Sequence, residues 1–138
     1  MKVLPGLLIA AFLVAFGSIS GSAIEATRYK DTVKLQVLSV GLQPGMPPGF
    51  YICAEGHLHI RASVQNTGNV PLDGIKVAGK VFDASGTLLG TATAVAKPGK
   101  INPNGTSEVN LEFLTVTGPK IDQVKDHQES VVEAQLAR

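Results

Sequence analysis

Residues 58–95 read LHIRASVQNTGNVPLDGIKVAGKVFDASGTLLGTATAV. Leu58, Ile60, Ala62 and Val64 alternate with His59, Arg61, Ser63 and Gln65. Strict period-two alternation marks a strand with one face buried and the other turned to water. The run breaks at Asn66-Thr67-Gly68-Asn69-Val70-Pro71-Leu72, resumes over 75–82, and turns at Asp83-Ala84-Ser85-Gly86. A third run covers 87–95. Strands of this length, separated by turn residues at this spacing, predict an antiparallel β-sandwich.

The pattern extends in both directions. Val33, Leu35 and Val37 alternate with Lys34 and Gln36 in a first strand that ends near Val40. Residues 41–56 hold Pro44, Pro47, Pro48 and four glycines, a density that predicts loop rather than regular structure. Lys97-Pro98-Gly99 and Pro103-Asn104-Gly105 make a second turn-rich loop. Val109, Leu111 and Phe113 then alternate with Asn110 and Glu112 in a strand that reaches about Thr117. Residues 119–130 read as loop or a short helical turn, and 131–136 as a closing strand. The expected fold is all-β: an immunoglobulin-like antiparallel sandwich of about seven strands over residues 32–138. Ile60, Val64, Val77, Val81, Leu111 and Phe113 are expected to point inward.

The first residues are of another kind. Lys2 is the only charge before Glu25, and residues 3–19 carry none. Small residues follow, with Gly21 and Ala23 placed as the −3 and −1 positions of a cleavage site. A basic tip, an apolar run and small residues compose a secretory signal. The run is also at the short limit for spanning a bilayer. Residues 1–23 are thus expected to form a hydrophobic helix that is either cleaved or kept as an anchor, with 24–31 as a linker. The remainder is placed outside the cytoplasm.

Twelve Lys and Arg stand against eleven Asp and Glu. This balance gives no basic surface for nucleic acid. Cys53 is the only cysteine, so no disulfide forms within the chain.

The stretch 62–113 resembles the FxLYD and CARDB (cell-adhesion-related) groups of small extracytoplasmic β-sandwiches. The resemblance rests on the strand ending in 66–72, on Val81-Phe82-Asp83 followed by Ala84-Ser85-Gly86 and Thr87-Leu88-Leu89-Gly90, and on the proline-glycine loop before the strand holding Phe113. Gly79 stands where the first group has its namesake phenylalanine. Such domains are accessory, adhesive or assembly modules, and the resemblance implies no catalytic residues.

Candidate chemistry is sparse. Cys53, His57 and His59, with Met46 upstream, offer soft sulfur and imidazole donors suited to zinc or copper. His57 and His59 share one strand face, which alternation assigns to solvent. No partner acid and no fourth ligand are identifiable from sequence, so the expectation is no metal and no cofactor. No serine lies in a Gly-x-Ser-x-Gly turn. Asp122, Asp126, His127 and Glu129 read as a solvated run. Asn104-Gly105-Thr106 is a glycosylation sequon in a predicted turn. Met46, Phe50, Tyr51 and Ile52 form either a contact loop or a cover folded over one open end of the sandwich.

The chain is therefore expected to be a non-enzymatic, exported or membrane-anchored module for cell-surface interaction or assembly, with a protein partner (itself or another surface protein). One alternative is a filament subunit donating strand 31–40 to a neighbour. Another is a small envelope metal-binding protein.

Overall fold

The computed structural model describes residues 28–138. The expected N-terminal helix, anchor or cleavage site lies outside the described residues. A 3-10 turn at Lys30–Thr32 leads into seven strands. They are β1 (Val33–Val37), β2 (Phe50–Ile52), β3 (His57–Asn66), β4 (Leu72–Phe82), β5 (Leu88–Val95), β6 (Thr106–Thr117) and β7 (Asp126–Leu136). A single turn of helix, α1 (Pro119–Asp122), joins the last two strands.

Two antiparallel sheets result. In the first, β3 is central, with β6 on one side and both β1 and β2 on the other. In the second, β4 lies between β5 and β7. The all-β sandwich read from alternation is the observed fold.

β1 and β2 pair with successive halves of β3, as two pieces of one interrupted edge strand. The backbone of Arg61 holds both ends of the interruption. Its carbonyl accepts from Leu38 N at 3.0 Å, and its N–H donates to Gly49 O at 2.8 Å. Gly49 has φ +81°, and a Cβ there would meet Val37 Cγ1 at 2.7 Å. Only glycine closes this loop without displacing its neighbours. Because β2 is only three residues long and flanked by prolines and glycines, alternation could not reveal it, and the reading of 41–56 as wholly irregular is corrected here.

The core lies between the sheets. β3 contributes Leu58, Ile60 and Val64; β4 contributes Ile75, Val77 and Val81; β6 contributes Val109, Leu111, Phe113 and Val116. All six residues predicted inward are fully buried. Leu111 and Phe113 together account for Gly79. A Cβ at position 79 would approach Leu111 Cδ1 to 2.7 Å and Phe113 Cζ to 3.2 Å. These side chains of β6 occupy the space that a side chain on β4 would need.

The crossover between the sheets is held by a side chain rather than by left-handed backbone. Neither Asn66 nor Gly68 takes a positive φ. Asn66 instead acts through its side chain. Its fully buried amide donates to Val70 O (2.7 Å) and Ile101 O (2.9 Å), and its Oδ1 accepts from Gly68 N at 3.0 Å. One side chain thus supplies the polar partners of a buried loop, which could not otherwise leave water cheaply.

β7 begins at Asp126, five residues before the predicted start. Its pairing with β4 sets His127 opposite Val81 and Glu129 opposite Gly79, two inward positions. His127 Nδ1 lies 2.7 Å from Glu129 Oε2, and its ring meets Phe50 edge-on at 5.1 Å. These two residues are not a solvated run. They face inward as a pair at a sheet edge, a placement that discourages further strand addition. Asp122 and Asp126 are exposed, as expected.

Candidate functional site

The outer face of the first sheet gathers the chemistry. Tyr51 and Cys53 come from β2 and the residue after it, His57 and His59 from β3, and Asn110 and Glu112 from β6. Register makes the assembly. Tyr51 stands opposite His59, and His59 opposite Glu112. A tight turn follows β2: Cys53 N donates to His57 O at 3.0 Å and Gly56 N to Cys53 O at 2.9 Å, with Gly56 at φ +87°. Cys53 and His57 therefore face each other across the turn. The register against β6 shifts between His57, which pairs with Thr117, and Leu58, which pairs with Phe113.

His57 Nδ1 lies 2.9 Å from Glu112 Oε2 and 3.7 Å from Cys53 Sγ. His59 is only 8% exposed. Its ring stacks on Tyr51 at a centroid distance of 4.6 Å. Its Nδ1 is 2.7 Å from Asn110 Oδ1, while Asn110 Nδ2 donates to the Tyr51 hydroxyl at 2.7 Å. The amide thus fixes the imidazole, whose Nδ1–H donates to Oδ1. His59 Nε2 is buried and has no hydrogen-bond partner. It points toward Glu112 Oε2 at 3.6 Å, too long for a hydrogen bond.

Three expectations change. His59 does lie on the outer face, but Tyr51 and Asn110 cover it, so it is not solvated. An acid stands beside both histidines after all: Glu112, distant in sequence, is brought in by β6. Met46 is not part of this cluster. It packs on the core and lines a cleft of about 240 Å³ with Phe50, Leu58 and Ile121.

Phe50 is buried, Met46 and Ile52 pack against the core, and Tyr51 lies on His59. Glu55 is exposed at the hairpin tip. Asn104 is exposed at φ 68°, so its sequon sits in an accessible turn, as predicted. Arg61 pairs with Glu108 further along the same face.

Fold and site together define a small two-sheet β-sandwich with a cysteine–histidine–carboxylate cluster on one outer face. No protein-family model matches the chain, and no curated protein matches it either. Among solved structures it is similar to IrmA from Escherichia coli, at 9% identity and a TM-score of 0.49, with 77% of each chain covered. It is also similar to a DUF1425 family member from Shewanella, at 10% identity and a TM-score of 0.43, covering 72% of this chain and 75% of that one. Among the described residues, no helix is long and apolar enough to cross a membrane.

Proposed function

We propose that this chain is a non-enzymatic β-sandwich module that works outside the cytoplasm and engages a protein partner, either its own copy or another surface protein. The observation that carries this reading is the uncharged run 3–19, bounded by Lys2 and the small residues before Glu25, ahead of a sandwich of nearly balanced charge. The resemblance to FxLYD and CARDB modules points the same way.

Strand donation is the weaker form of assembly. Residues 33–37 pair in register with β3 of their own chain, and a donated strand would have to abandon that pairing. Two measurements test the reading. The full chain should fractionate with membranes, or be secreted after cleavage near Ala23; uncleaved protein in the soluble cytoplasmic fraction sinks export. Light scattering coupled to size exclusion on the sandwich alone should give a monomer or a small closed oligomer, whereas a polymer would favour donation.

A further inference from the structure

We propose that Cys53, His59 and Glu112 form a site for a divalent transition-metal ion, with zinc the ion this donor set favours. This goes beyond the module reading and does not depend on it. The decisive feature is the orientation of His59. Asn110 holds the Nδ1 side at 2.7 Å, which leaves the Nε2 lone pair buried and facing a carboxylate oxygen. Two acceptors 3.6 Å apart repel unless a cation lies between them.

The rest of the cluster matches such a cation. One donor atom each from Cys53, His59 and Glu112 all lie within 4.8 Å of one another. His57 Nδ1 touches both the thiol and the carboxylate and helps to orient them, and a zinc site with three protein donors keeps its fourth position for water. Donors around tetrahedral zinc are separated by roughly 3.3–3.6 Å, as bonds of about 2.0–2.3 Å require. The His59–Glu112 separation of 3.6 Å is already at that value.

Thiolate, imidazole and carboxylate together are a zinc-type set. The Asn110 contact to the non-ligating nitrogen is the support that metal-bound histidines ordinarily have. The Glu112 side chain is 42% exposed, so an ion has a path from solvent.

The test uses the purified full chain in detergent and metal salts alone. Zinc titrated in competition with a chromogenic chelator should bind one ion per chain with submicromolar affinity. Cobalt should give a thiolate charge-transfer band together with tetrahedral d–d absorption. Cys53→Ser should abolish the charge-transfer band, and Glu112→Gln should weaken binding at least tenfold; both residues are outside the core. Asn110→Ala should weaken zinc by about 10–100-fold, as loss of a ligand-orienting contact does. His127→Gln, on the other sheet, should leave binding unchanged.

His59→Gln should remove binding, with a circular dichroism spectrum to confirm the fold; if that variant fails to fold, the Cys53 and Glu112 variants decide. Binding no tighter than micromolar, or binding that survives Cys53→Ser and Glu112→Gln, overturns the site.

Discussion

Single residues set the turns. Asp83 closes the β4–β5 hairpin by accepting three hydrogen bonds on one oxygen, from Ser85 Oγ (2.7 Å), Ser85 N (2.9 Å) and Thr87 N (2.9 Å). The Ser85 hydroxyl, followed by the Thr87 amide, holds its carboxyl below the ordinary value of 3.8. A carboxyl with a lowered folded pKa stabilises the turn while ionised. That contribution is complete above about pH 4 and disappears as pH falls through the lowered value. The protection of the Ser85 and Thr87 amides, measured as the exchange rate relative to the intrinsic rate at the same pH, should therefore be present at neutral pH and fall in strong acid before the sheets open. Unchanged protection down to the global acid transition would show that the carboxylate does not hold the turn. Asn66 was legible as a turn residue only in part. Its composition was visible in sequence, but its role as donor to two carbonyls depends on Ile101 coming to lie beside it.

At the scale of one strand, β3 divides its labour by parity. Ile60 is fully buried, while Arg61 next to it reaches the outer face and pairs with Glu108, itself half-exposed. Ile60→Ala leaves a cavity and should cost about 2–5 kcal/mol. Arg61→Ala removes a surface ion pair and should cost under about 1 kcal/mol. His59→Ala should fall between them, because it strips a stacked, hydrogen-bonded ring from under Tyr51. Chemical denaturation of the three variants checks the order. Equal losses for Ile60 and Arg61 would mean that the face assignment is wrong, since a one-residue slip exchanges the two faces. Alternation was readable here because each inward position is apolar except Asn66. On β7 it was not, because His127 and Glu129 occupy inward positions at an edge and imitate a polar loop.

Across the whole molecule, Phe113 ties the sheets together. It extends from β6 to the position of Gly79 on β4, and it is fully buried. Phe113→Ala should cost about 3–5 kcal/mol, a large part of the 5–15 kcal/mol typical of such a domain. The melting temperature should drop sharply, with far-ultraviolet dichroism and tyrosine signals falling in one transition. Two separated transitions would mean that the sheets unfold independently and that the shared core is weaker than the packing implies.

The sequence by itself determined the long strands other than the start of β7, the hairpin at Asp83, the six inward residues named from alternation and the sandwich, because period-two alternation and turn chemistry are properties of neighbouring residues. It also placed Cys53, His57 and His59 close together, since one hairpin carries all three. Only the tertiary structure decided their surroundings. Glu112 reaches His57 across 55 residues of chain, Asn110 reaches His59 across 51, and Tyr51 meets Asn110 across 59. Those meetings depend on the register of β6 against β3 and on its shift at His57. Register is fixed by which apolar faces pack together, and a single strand read alone does not contain it.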